Sequence, residues 1–185
     1  MTSHPVQSNF NRDSDPSEHK PSGDPGLRGF ANRLAKTMER DALVQKTTDE
    51  LRDFLQVDRV VLYYFYRHWK GQVTFESLNS DEFSIFGTTG ADDCFNDNYA
   101  EMYLEGRVRA IADIELEPIH PCHRDFLRSI QVRANLVVPI LNPSRLWGLL
   151  VAHHCQHPRP WLPSDIETMQ KAAETLATSS SIRES

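Results

Sequence analysis

Three side chains in this 185-residue chain carry sulfur that could react, and their settings differ. Cys94 stands in "ADDCFNDNY", with two acids before it and a phenylalanine after it. Cys122 stands in "HPCHRDFL", directly before His123. Cys155 closes the apolar run "LWGLLVAHHC". A cysteine at the end of an apolar strand is most often a small buried hydrophobe, so Cys155 is read as structural. Cys94 and Cys122 lie in polar, irregular surroundings, where a thiol is accessible and can carry thiolate character.

Residue types alone leave two chemistries open. Cys122, His123, His153, His154 and Cys155 are all suitable zinc donors, but no C-x-x-C or H-x₃-H spacing groups them. A nucleophilic Cys–His pair must converge to ~3 Å, whereas neighbours such as Cys122 and His123 diverge on a helix. His153 remains as a candidate base, with no Asn or Asp evidently placed to orient it. Spacing does not choose between these readings.

The elements that must hold these residues are read from periodicity. Residues 1–29 are rich in Pro, Ser, Asp and Gly, too polar to offset their ordering entropy, and are expected to form a disordered leader. A helix is expected from Phe30 to Val57, with Phe30, Leu34 and Met38 and then Leu51, Phe54 and Leu55 as its apolar face, and a bend near "RDALVQKTT". "RVVLYYFYRHW" is β-branched and aromatic on both faces, as in a strand covered on two sides. "GQVTFESL" alternates, with Val73, Phe75 and Ser77 on one face, and pairs with it through a hairpin at Lys70 and Gly71. A long polar excursion runs from Asn79 to about Tyr103, the kind of loop that carries function in a compact domain.

"RVRAIADI" reads as a further strand, "HRDFLRSI" as a short helix, and "ANLVVPIL" and "LWGLLVAHH" as two apolar strands joined by turn residues Asn142 to Ser144. In the last helix Ser164 and Glu167 have capping-box spacing, and Ile166, Met169, Ala173 and Leu176 share a face. The whole is an α+β architecture: a mostly antiparallel sheet with helices on one face. The expected domain spans 30–178, with a flexible tail at 179–185.

The hydrophobic fraction of 39% and charged fraction of 25% are ordinary for a soluble domain. A net charge of −6 argues against nucleic acid or an anionic membrane as the main partner. No run approaches the ~20 apolar residues of a membrane span. The start "MTSHPVQSNF" lacks the pattern of a signal peptide, and three cysteines are too few and odd for a disulfide framework. A cytoplasmic, reducing setting is expected.

From about Asp41 to Leu176 the chain resembles a cyanobacteriochrome photosensory GAF domain, a relative of the phytochromes. The stretches that carry the likeness are "RDALVQKTTDELRDFLQVDRVVLYYF", "YLEGRVRAIADI", "CHRDFL", "VRANLVVPIL", "LWGLLVAHHC" and "PRPW". "DDCF", Asp92 to Phe95, matches the Asp-Xaa-Cys-Phe (DXCF) signature of one subfamily and places Cys94 28 residues before Cys122. The resemblance implies a GAF fold with terminal helices on one sheet face and a bilin pocket on the other.

The same resemblance assigns roles. Cys122 is the covalent anchor, forming a thioether with the A-ring ethylidene of a linear tetrapyrrole, and His123 lies against the pigment. Cys94 adds reversibly to the central methine bridge and so switches the absorption between violet or blue and green to orange. Asp92 accepts from pyrrole N–H groups, Arg107 clamps a propionate with Arg109 as a second candidate, and His153 contacts the rotating D ring. Phe95 and Tyr99 line the pocket. Trp69, Trp147 and Trp161 belong to the framework, and His154 and His157 to the surface.

The implied cofactor is phycocyanobilin, phycoviolobilin or both; the chain is then a photoreceptor and not an enzyme. Its partners would be an output domain or signalling protein outside this chain, with a homodimer through the terminal helices. The competing reading is a GAF-type module binding a cyclic nucleotide or a protein without pigment, and a thiol-dependent enzyme stands third.

Overall fold

The computed structural model describes residues 25–67, 70–90, 97–143 and 145–183. Helix α1 (Pro25–Leu55) starts on a proline, whose missing N–H and fixed φ suit a first turn. It runs unbroken through the stretch where a bend was expected. That stretch contains no Gly or Pro, and Thr47 and Thr48 spend their hydroxyls on the carbonyls of Leu43 and Gln45, both at 2.8 Å. The helix stops where Gln56 turns left-handed, at φ 50°.

The buried face of α1 begins at Val44 and continues through Thr48, Leu51 and Leu55. Phe30, Leu34, Met38 and Phe54 were expected on that face and are instead exposed, Phe30 by 57%. Helical spacing identifies a stripe but not what covers it.

Strands β1 (Arg59–Arg67), β2 (Lys70–Leu78), β3 (Arg109–Ile111), β4 (Ala134–Asn142) and β5 (Arg145–His154) form one antiparallel sheet in the order β2-β1-β5-β4-β3. The three central strands are buried on both faces, which is why their sequences lack alternation. One face, with Val60, Leu62, Leu136, Val138, Leu150 and Ala152, packs with the inner residues of α1 and of α4 (Pro163–Thr178). The other face carries Val61, Val137, Leu149 and Val151. Trp147 is buried and sits edge-on to Tyr64, and Trp161 donates to the Ile111 carbonyl at 3.0 Å; both serve the framework as expected. Trp69 lies outside the described residues.

One expectation on faces fails for a stated reason. Leu62 pairs with Phe75 but Tyr63 pairs with Val73, so Thr74 is an extra residue and the strand parity flips there. Val73 therefore joins the cluster of Val61, while Phe75 packs with Leu62 and Ser77 accepts from Arg52 Nε at 2.9 Å on the helix side.

The cap of α4 also differs: the Asp165 carboxylate accepts from the Leu162 N–H at 3.1 Å, and Glu167 pairs with Lys171 one turn on. A short helix α5 (Ser180–Arg183) follows and buries Ile182, four residues past the boundary expected at 178. Helices α2 (Asp97–Leu104) and α3 (Pro121–Ser129) occupy the excursion side, away from α1 and α4.

Candidate functional site

The sheet face not covered by α1 and α4 forms the floor of a pocket with about 890 Å³ of unfilled space, part of it open to solvent. Val61, Val137, Leu149 and Val151 make its floor apolar; Tyr103 of α2, Phe126 of α3 and the segment Thr88–Gly90 form its walls. Among the described residues, three nitrogen-bearing side chains line it: His123, Asn135 and His153.

Cys122 occupies the first turn of α3, behind Pro121 and the cap His120, whose Nδ1 accepts from the Cys122 N–H at 3.3 Å. A helix N-terminus favours thiolate over thiol. Cys122 is disulfide-bonded in this structure. Cys122 is not among the residues that line the pocket; its neighbour His123 is.

His123 is half-buried, and burial depresses its basicity first, followed by the charges of Arg109, Arg107 and His120. Both arginines thus place positive potential beside the pocket. Arg109 pairs with Glu117 at 2.8 Å. "RVRAIADI" reads as a strand with both arginines in it, but Arg107 lies after Gly106 in the turn that leads to β3, and only Arg109 is in the strand.

His153, on β5, is buried to 4% exposure, and its Nδ1 accepts from Arg59 Nε at 2.9 Å. Burial first, and then the Arg59 charge, hold its pKa well below the usual 6.5. Folding therefore excludes a proton that the unfolded chain binds below pH 6.5. This contribution to stability is full above that pH and is lost as the pH falls, with a slope approaching ~1.4 kcal/mol per unit for His153 alone. Urea unfolding between about pH 7.5 and pH 5 measures it. The slope is expected to shrink in His153→Gln, and an identical profile in that variant would refute the assignment.

Cys155 is half-buried, and burial pushes its thiol up to about 11, which makes it a poor nucleophile at neutral pH. Its N–H donates to Asp58 at 2.7 Å; Asp58 also accepts from Asn79 at 2.7 Å. Burial opposes the Asp58 charge, but these hydrogen bonds and the nearby His154 outweigh it and hold the carboxyl below its usual range. Asp58 ties the entry of β1 to the exit of β5. Among the described residues, no three His, Cys, Asp or Glu side chains group as a metal site.

Asp92, Cys94 and Phe95 lie outside the described residues, as does the Tyr99 side chain on α2. The chain enters that segment from Gly90, whose N–H donates to the Tyr63 hydroxyl at 2.9 Å, and leaves it into α2. Arg59 and Asn135 were missed by sequence reasoning. Their only signal was a cation and an amide placed within apolar strands.

Against known proteins, the GAF domain pattern matches residues 39–179. An uncharacterized protein of Picosynechococcus sp. is 55% identical over 154 residues, covering 83% of this chain and 94% of that protein. A putative methyl-accepting chemotaxis protein of Synechocystis sp. is 36% identical over 76% of this chain, which spans only 14% of it. The blue-light-absorbing form of the PixJ GAF domain of Thermosynechococcus elongatus superposes with a TM-score of 0.70 at 32% identity, covering 78% of this chain and 88% of that one. The phycocyanobilin-bound GAF domain of a cyanobacterial phytochrome superposes with a TM-score of 0.71 at 29% identity, covering 85% and 92%.

Proposed function

Since the chain belongs to the GAF domain family, we propose that it is a photoreceptor holding a linear tetrapyrrole in the pocket on the free face of its sheet. The observation that carries this reading is the pocket itself. An apolar floor takes a flat conjugated pigment, His123 and His153 line it from two elements, and Cys122 directly precedes His123 in a helix turn that favours thiolate once the sulfur is reduced.

In this reading the Cys122 sulfur adds to the A-ring ethylidene. One C–S bond forms, and the thiol proton ends on the pigment. A bilin would supply the light-driven isomerisation of its D ring, and His153 and Asp92 are the residues whose contacts would change with it. Cys94 would supply the thiolate that adds reversibly to the central methine bridge. Because shorter conjugation raises the excitation energy, a bonded Cys94 would give the violet or blue state and a free Cys94 the green-to-orange state. Phycocyanobilin, phycoviolobilin or both would serve. Arg107 is assigned to a propionate, for which a planar guanidinium is suited, and Phe95 and Tyr99 to the pocket wall.

The chain spans a small part of its chemotaxis relative, and the output it controls is assigned to a partner domain or protein in the same compartment, the cytoplasm. The exposed stripe of Leu27, Phe30, Leu34 and Met38 on α1 is the surface assigned to that contact or to a second copy. Phe30→Glu with Leu34→Glu is expected to lower self-association in sedimentation while leaving the pigment spectrum intact; unchanged sedimentation of a wild-type dimer would remove the stripe from the interface.

Expression in cells that make phycocyanobilin, with purification under a thiol reductant to free Cys122, tests the main reading. A coloured band that fluoresces with zinc on a denaturing gel is the expected result. A colourless chain that binds a cyclic nucleotide or only a protein would replace the photoreceptor with a different GAF module.

A further inference from the structure

Arg59 opens β1 at 0% exposure, yet among the described residues it meets no carboxylate within ion-pair distance. Its guanidinium donates instead to the Phe83 carbonyl, to the Ile130 carbonyl at 2.8 Å, and to Nδ1 of His153 at 2.9 Å. A nitrogen that accepts cannot carry a proton, so a neutral His153 must bear its hydrogen on Nε2. The other tautomer would aim a donor at a donor. An imidazolium would do the same and add a like charge.

Strand register extends the arrangement. Arg59 lies opposite His153 across β1 and β5, and His153 lies opposite Asn135 across β5 and β4. Opposed side chains in antiparallel strands have Cβ atoms ~5 Å apart. Three polar groups thus form a single row across the centre of the sheet. Asn135 is 3% exposed and lines the pocket, and among the described residues its Oδ1 has no hydrogen-bond partner. A buried acceptor left unpaired is unfavourable, and a ligand that donates to it removes the deficit.

We propose that Arg59 is a positioning residue that holds His153, which the family resemblance already sets against the D ring, as an Nε2–H donor, and that the Oδ1 of Asn135 accepts from the N–H of the same terminal lactam ring. A five-membered lactam presents C=O and N–H from adjacent ring atoms on one side, so the carbonyl accepts from His153 while the N–H donates to Asn135. A carboxylate edge would face Oδ1 with an acceptor, and an ammonium would face Nε2–H with a donor. The row therefore selects a neutral amide edge. The ligand half of this assignment rests on the tetrapyrrole reading above; the tautomer half does not.

The experiment uses the full chain labelled with ¹⁵N at histidine, first without pigment. Long-range ¹⁵N NMR is expected to show His153, identified by the resonance lost in His153→Gln, with a pyrrole-type Nε2 and a pyridine-type Nδ1. Arg59→Met is expected to lose that single-tautomer signature. Should this variant fail to fold, the wild-type tautomer and Asn135→Leu decide the matter.

On the phycocyanobilin-loaded chain, infrared difference spectra are expected to show the lactam C=O stretch rising in frequency in Arg59→Met. In Asn135→Leu the stretch stays in place and the lactam N–H exchanges faster with D₂O. A wild-type His153 protonated on Nδ1, or on both nitrogens, overturns the positioning role even in a chain that binds pigment. Unchanged N–H exchange in Asn135→Leu overturns the acceptor role. A chain that takes up no pigment overturns the lactam assignment along with the tetrapyrrole reading, and leaves the tautomer to be judged by NMR alone.

Discussion

Cys122→Ala is expected to reduce covalent pigment attachment from near completion to below detection, read as zinc-induced fluorescence on a denaturing gel. A thioether needs a sulfur that is both accessible and ionisable. Cys122 is half-buried in the first turn of α3, next to His123 inside the pocket. The other described cysteine cannot substitute: Cys155 is raised to about 11 by burial, at the far end of β5 beside Asp58. Alanine removes the sulfur while keeping a residue of high helical propensity, so the fold is expected to survive. Pigment held only by the pocket would then be lost on denaturation. A Cys122→Ala protein that remains fully labelled after denaturation would end the assignment.

Cys94→Ser is expected to keep the pigment covalently bound and to abolish the violet or blue state. A serine hydroxyl is far less acidic than a thiol and adds poorly to a methine carbon, so conjugation would stay intact in both photostates. The anchoring of the segment supports the role. Gly90 lines the pocket and is tied to Tyr63, and four residues of extended chain reach at most about 14 Å. On the other side α2 starts at Asp97 and presents Tyr103 to the same pocket. The described residues on either side of Cys94 in the chain, Gly90 and Tyr103, both line the site. Absorption spectra before and after illumination give the answer, and a serine variant with its short-wavelength band undiminished would refute the switching role.

Particular elements show how much of this was legible beforehand. The strands "RVVLYYFYR", "ANLVVPILN" and "RLWGLLVAHH" were readable because both-face apolar runs have few other uses in a small α+β domain. The bulge at Thr74 was not, since one extra residue leaves the local hydrophobic pattern intact while reversing which face Phe75 meets. In α1 the period was right, but the burial was wrong before Val44, because amphipathic spacing says nothing about where a sheet ends. Asp165 capped α4 in place of Ser164 because the chain enters the helix two residues earlier than the Ser–Glu spacing implied.

By itself the sequence determined the class of fold, the order of its elements and the likeness that names Cys122, His123 and His153, since these depend on residue type and on separations along the chain. Only the tertiary structure decided what those residues face. Arg59 and Asn135 are 76 positions apart and look like isolated polar residues in apolar strands. Their place on either side of His153 follows from the order β1-β5-β4 and its register, which bring together groups that no local pattern connects. The proton on His153 likewise follows from a hydrogen bond between residues 94 positions apart, because a tautomer is set by the partner a nitrogen meets in space.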